Sequence, residues 1–501
     1  MTSDVNKPIE KVVIVGRDIA VWLSANVLTR ALAHTGLAIE VIELPSYLRP
    51  HDVVGGLPPL GGLHHLIGLD EHELLKAVSG AYSLGQRFVN FAGPRPPFFH
   101  AYGSHGAPIG KTPFSQHYIR ARHGGLNVAF EDFSLAASAA KYGRFFTSDA
   151  TLSAFHPSQY AYHLKAAPYV RSLKANALKQ GVKFTQARDF AVRRDHEGGR
   201  VVGLTLSDNR YVEGDVFIDA TGEEGRLIGG GMESWAGWFP DNRVLTAAAE
   251  TSASPPAYSQ VVALQGSVLH MLPLQDMTGL IHAYHDEDMS DQQALEFAAV
   301  AANLPLKGQA TAGALKVGRR RKAWDGNVIA LGEAACVFNP ISNVALHALH
   351  LGLVHLVSLF PLDKACESEA QEYNRLMQEA YEGLRDFQIC HFKLNRNLDQ
   401  TYWDGARAMP IPERLQQKID LFSACGRVPM FDGESFEEED WLAIFFGHGL
   451  LPQVWDRVVE RTSQDEVITQ FRQMLAFIRE KVEGMASHEA FIEIYAAGNF
   501  A

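Results

Sequence analysis

Residues 16–21 carry the first legible chemistry of this chain. They read Gly16, Arg17, Asp18, Ile19, Ala20, Val21, between an apolar run, Lys11 to Gly16, and a helix-like run from Ile19 to Leu32. A strand–turn–helix junction binds a dinucleotide when it reads G-x-G-x-x-G. The second glycine lets the backbone approach a pyrophosphate, and the third lets helix and strand pack closely. Here Asp18 and Val21 stand at those two positions. Asp18 puts a carboxylate where a diphosphate needs room and positive potential. Gly16 still permits the tight turn, the helix start still offers backbone N–H groups, and Arg17 could pair with a phosphate. Glu43 closes the next strand-like run, Ala38 to Glu43, where a carboxylate would hold ribose hydroxyls.

Composition narrows the function classes. The chain has 501 residues and a net charge of −12, with its basic residues scattered. Nucleic acid is excluded as the main partner, because phosphate contacts need a basic face. No apolar run is expected to span a bilayer. Met1-Thr2-Ser3-Asp4-Val5 has no basic segment followed by an apolar one, so no secretory signal is expected. Cys336, Cys366, Cys390 and Cys425 lie far apart, which suits buried thiols in a reducing cytoplasm and no metal site. His347, His350 and His355 share one expected helix without a nearby carboxylate, and read as packed histidines.

The elements that position these residues follow from periodicity. Residues 11–43 form one βαβ unit. Residues 44–62 and 93–114 are rich in Gly and Pro and read as loops. Residues 70–80 read as a helix, 87–91 as a strand, and Tyr160 to Gln180 as a long amphipathic helix. Val201 to Leu206, with Tyr211-Val212, reads as a hairpin. Val216 to Gly222 and Asn327 to Glu333 are buried strands ending in turns. Further strands are expected in 261–285 and a helix over 344–360. The chain beyond about 365 is mostly helical, with an acidic surface segment at Glu434–Asp440. Arg319-Arg320-Arg321-Lys322 reads as a turn, with one arginine near a cofactor. Phe98 to Tyr102 either lines a pocket for an aromatic ligand or anchors a long loop.

The strand-end signals at Gly16, at Asp219-Ala220-Thr221-Gly222 and at Gly332-Glu333 resemble, in that order, a flavin monooxygenase. Finer wording is similar to the flavin-dependent tryptophan halogenases. It lies in Trp235 to Pro240 with Arg243, in Gly318 to Ala335, in Glu372-Tyr373-Asn374 and in Leu384 to Phe387. The likeness runs from about residue 8 to 495. It implies an α/β fold: an FAD-binding, Rossmann-like region with a second β-sheet over 8–360, and a helical C-terminal region over 361–501. It also implies FAD as cofactor, lying extended across the strand ends. Gly16, Ala20, Glu43, Gly222, Gly332 and Glu333 are then the candidate contacts. A separate flavin reductase and a small aromatic ligand are the implied partners, and a homodimer is left open.

The resemblance also marks departures. The family holds a lysine where this chain has Ser83, in Tyr82-Ser83-Leu84-Gly85. It holds a glutamate where this chain has Ser342, in Asn339-Pro340-Ile341-Ser342-Asn343-Val344. A tryptophan pair that separates flavin from substrate is replaced in Val268 to Pro273, where His270 takes one position and gains a candidate general-base role. A hydroxyl at position 83 cannot form a haloamine or donate a charged hydrogen bond. Lys76, seven residues earlier, reads as solvated. Asp18 and Val21 in the dinucleotide turn make weak or absent FAD binding in the usual pose the expectation. Three functions fit: a flavoprotein oxidoreductase with changed chemistry, a non-catalytic ligand-binding or complex-forming subunit, or a working halogenase whose motifs lie elsewhere.

Overall fold

A computed structural model describes residues 8–147, 159–196, 199–361, 363–397 and 401–496. Strand β1, Lys11–Gly16, lies at the centre of a six-stranded sheet. It pairs in parallel with Val216–Ala220 on one side and with β2, Ala38–Glu43, on the other. Helix α1, Asp18–Ala31, connects β1 to β2. The unbroken apolar sequence of β1 has a direct cause. Val12 and Ile14 enter one core while Val13 and Val15 enter a second on the opposite face. A parallel strand covered on both faces needs apolar residues at every position.

Gly16 closes β1 at a φ of +150°, and a Cβ there would sit 1.9 Å from the Ala220 carbonyl oxygen. Its side-chain-free backbone lets the two central strands meet at the turn. Asn26 then ties α1 to the helix Ala166–Lys179. Its amide donates to the Trp22 and Leu173 carbonyls, and its oxygen accepts from Asn176.

A seven-stranded sheet forms the second layer, with Phe98–Ala101 at one edge beside Gly85–Val89. Helices from Glu367 onward pack on the Phe88 and Phe98 face of this edge, where His391 stacks on Phe88 at 4.2 Å. A small sheet of Val53–Gly55, Ala161–Lys165 and Ala81–Ser83 bridges the two layers.

Several expectations need correction. The stretch from Tyr160 opens with the strand Ala161–Lys165, and the helix starts at Ala166. That strand pairs on both edges, so its side chains are buried without alternation. The loop-like stretch 44–62 holds the strand Val53–Gly55 and the start of the helix Pro59–Leu66. The stretch 93–114 holds Phe98–Ala101. The basic run is no turn. Arg319 and Arg320 lie on a buried strand, where Arg320 binds the carbonyls of Glu223, Glu224, Gly229, Gly230 and Ala334. The acidic segment is partly interior: Glu434 pairs with buried Lys418, and Asp440 bonds His100. Ile341–Ser358 is long and apolar enough to cross a bilayer, with a mean hydropathy of 1.4, but it is mostly buried in the fold.

Gly16→Ala is expected to lower the unfolding free energy by at least about 2 kcal/mol, because the added methyl meets backbone. Chemical denaturation measures it, and an unchanged midpoint would contradict the close approach.

Candidate functional site

The first cluster lies at the ends of the parallel strands. Asp18 opens α1 at a φ of +62°, the left-handed conformation a second motif glycine would supply. Its carboxylate accepts the Tyr47 N–H at 3.3 Å. Burial raises its pKa, against the lowering effect of Ser46, Tyr47 and Arg17. Arg17 does not reach outward. Its guanidinium donates to the Thr221 carbonyl at 3.0 Å and stacks 3.7 Å from the centre of the Tyr47 ring. Gly222 and Glu333 come together across this cleft: a Cβ on Gly222 would sit 3.9 Å from both Arg17 Nη1 and Glu333 Oε2. Ala20 and Gly332 also meet, since a Cβ on Gly332 would lie 3.1 Å from the Ala20 methyl.

Glu333 is exposed at these strand ends. Its carboxyl is pushed up first by desolvation and then by Glu223, Asp18 and Asp52, against Arg17. The charges of Glu223, Asp18 and Asp52 thus all act on Glu333, and that of Arg17 opposes them. These residues do not fit a dinucleotide diphosphate, whose charge would add to theirs. Asp52 and Glu223 were not legible as members of this group, because loops bring them in from distant parts of the chain.

Glu43 lies farther along the strand ends, and its carboxylate is engaged. It accepts from Trp22 Nε1 at 3.0 Å, Lys174 Nζ at 2.6 Å and Gln186 Nε2 at 3.1 Å. Burial opposes its ionisation, but these donors hold its pKa below the ordinary value. Beside it a groove of about 660 Å³ is lined by Arg171, Lys174 and Arg188 as well as Asp18.

The second cluster is interior. Ser83, Ser342 and His270 are each 1% exposed. The Ser83 hydroxyl donates to the Gly85 carbonyl at 3.0 Å. Tyr102 is wholly buried against the polar ends of Gln86, Asn343 and Ser83, and burial raises its phenol pKa. Asn343 presses on the bridging sheet so closely that a Cβ on Gly55 would lie 2.3 Å from its Cγ. Among the described residues, Gln86, Ser342 Oγ and Asn343 Nδ2 have no hydrogen-bond partner. His270 Nδ1 lies 3.2 Å from the Pro340 carbonyl oxygen, and burial pushes the ring down to about 4.

Ser342 and Asn343 are consecutive left-handed residues, at φ of +71° and +55°. The preceding loop holds them there. Gln388 donates to the Asn339 and Ile341 carbonyls, and Asn339 donates to buried Asp241. Asp241 also accepts from Tyr402 at 2.5 Å, and burial pushes its carboxyl up to about 6. Trp235 and Trp238 clamp Arg385 rather than facing either cluster. Lys76 is exposed on the helix Glu71–Ala77.

A family model described as tryptophan halogenase matches residues 11–464. The chain belongs to the tryptophan halogenase family. Its curated relatives include tryptophan 6-halogenase ThaL of Streptomyces albogriseolus, 24% identical over 89% of this chain and 90% of that protein. Tryptophan 7-halogenase RebH of Lentzea aerocolonigenes is 23% identical over 89% and 90%. Among solved structures, BrvH, a flavin-dependent halogenase from Brevundimonas sp. BAL3, is 29% identical with a TM-score of 0.92, covering 97% of this chain and 99% of its own. Xcc4156, a flavin-dependent halogenase from Xanthomonas campestris, is 26% identical with a TM-score of 0.93, covering 98% and 99%. On this halogenase scaffold, the sequence-named residues form two groups. The bridging sheet and the Tyr102–Asn343 contact join Ser83 to the loop of Ser342. The strand-end residues gather around Arg17.

The buried histidines set an acid dependence. His163 is pushed down to about 3 and His270 to about 4, chiefly by burial. Both titrate near 6.5 in the unfolded chain. The unfolded state therefore binds more protons below that pH, and stability is expected to fall as pH drops from 6.5 towards 4. Asp241 and Asp386, both pushed up to about 6 by burial, act in the opposite sense above their unfolded pKa. Thermal unfolding across this window should show His270→Gln losing less stability on acidification than the parent chain. Equal losses would contradict the assignment.

Proposed function

We propose that this halogenase-family chain does not halogenate and does not hold FAD in the extended pose that the resemblance implies. It acts instead as a ligand-binding or complex-forming protein on that scaffold. The observation that carries the reading is the Asp18 carboxylate at the diphosphate turn, with Asp52, Glu223 and Glu333 around it. A diphosphate brought there meets like charge at short range, and Arg17, already bound to Thr221 and Tyr47, offsets little of it. The interior cluster supports the same reading. At the position where the resemblance puts a lysine, Ser83 offers a hydroxyl already donated to Gly85.

A second reading keeps an oxidoreductase, with reduced FAD supplied by a separate reductase. The groove of about 660 Å³ beside Glu43 favours it, since it leaves room for an adenosine at the strand ends, with Arg171 and Arg188 beside it for a phosphate.

Binding and turnover separate the two. The parent chain is expected to show no saturable FAD binding below about 0.1 mM by flavin fluorescence. Asp18→Gly keeps the left-handed turn and removes the charge, so it should tighten FAD binding at least about tenfold. With reduced FAD, oxygen, bromide and indole, bromoindole should not exceed the level formed without protein. Micromolar FAD binding by the parent chain would favour the second reading, and bromoindole above background would overturn both.

A further inference from the structure

The edge of the seven-stranded sheet has two faces, and the interior cluster uses one of them. Gln86 pairs with His100 and Phe88 with Phe98 across the strands, so these side chains share the face that meets the helices. Arg87 pairs with Phe99. Successive residues of a strand point to opposite faces, so Arg87 and Phe99 lie on the other side. A cavity of about 710 Å³ opens beside them and reaches round the strand edge to Phe98; Arg87, Phe99, Tyr258, Arg122 and Lys141 are among its walls.

Its charge is unlike that of the whole chain, which carries −12. Four cations line the cavity against two carboxylates, Glu131 and Asp132. Both carboxylates are taken by Lys141, at 3.0 and 2.7 Å. Arg122 donates to the Leu126 carbonyl and has no carboxylate partner among the described residues. Arg87 is half-buried, and neither it nor Arg95 has a hydrogen-bonding or carboxylate partner among the described residues. A guanidinium partly withdrawn from water without an acceptor is costly, and a carboxylate is the group its planar fork fits. The neighbouring wall is aromatic: Phe99 and Tyr258 meet edge to face with ring centres 5.0 Å apart. Flat apolar walls with a convergent charged group are the usual make-up of a small-ligand site.

We infer that this cavity binds a small aromatic carboxylate, with the anion on Arg87 and the ring against Phe99 and Tyr258. Arg95 and Arg122 add attraction at longer range. The inference does not rest on the loss of halogenation, because none of Ser83, Tyr102, Ser342 and Asn343 lines this cavity.

Calorimetric titration of the full chain with 2-naphthoate tests it, with 2-naphthalenemethanol as the uncharged match. Saturable one-to-one binding of the carboxylate is expected, at least about tenfold tighter than that of the alcohol. Arg87→Gln should weaken it at least about tenfold while leaving the thermal midpoint near the parent value. Should that variant fail to fold, Arg95→Gln alters an exposed side chain and should weaken binding about threefold. No saturable binding of 2-naphthoate, equal binding of the alcohol, or parent-like affinity in the folded variants would overturn the assignment.

Discussion

The close approach of Gly16 to Ala220 sets the geometry on which the strand-end chemistry depends. A side chain at residue 16 would collide with the Ala220 carbonyl, so the two central strands can meet only because none is there. That contact fixes where β1 turns into α1. It sets Arg17 against Thr221, puts Asp18 at the first helical position, and brings Gly222 and Glu333 to the same cleft. The fold needs this glycine whether or not a nucleotide binds beside it. Its survival therefore reports on the scaffold, while the identity of residue 18 reports on the ligand.

In the proposed reading, the two clusters oppose flavin chemistry for separate physical reasons. At the turn, the obstacle is charge: Asp18 and Glu333 are carboxylates beside an arginine already bonded to Thr221 and stacked on Tyr47. In the interior, the obstacle is packing, since Ser83 and Ser342 are sealed and Tyr102, Gln86 and Asn343 fill the space between them. The strained pair Ser342-Asn343 persists because Gln388, Asn339 and Asp241 hold the loop before it. Left-handed residues of this kind cost free energy unless their surroundings over-determine them.

Much of the architecture was legible in the sequence where one physical rule dominated. Strand β1 was readable because burial on both faces forces a continuous apolar run, and Asp18 was readable because the motif has fixed spacing. The strand Ala161–Lys165 was not, since pairing on both edges removed the alternation that separates strand from helix. Arg320 read as part of a turn because its carbonyl partners lie about 90 residues or more away, apart from Ala334. The ring of acids shows the same limit: Asp18 announced itself, but Asp52 and Glu223 carry no local signal. Phe98 to Tyr102 divide between a cavity and the packed interior. Alternation sends His100 and Tyr102 into packing and leaves Phe99 at a cavity wall.

Repulsion at the diphosphate turn is tested most directly by the pH dependence of FAD affinity. Burial raises the carboxyls of Asp18 and Glu333, so acidification neutralises them before ordinary surface carboxylates. Equilibrium titration between pH 7.5 and 5 is expected to show FAD binding tighten about tenfold as these groups take up protons. Tight binding at pH 7.5 with a flat profile would show that the diphosphate never meets their charge, and would contradict the account.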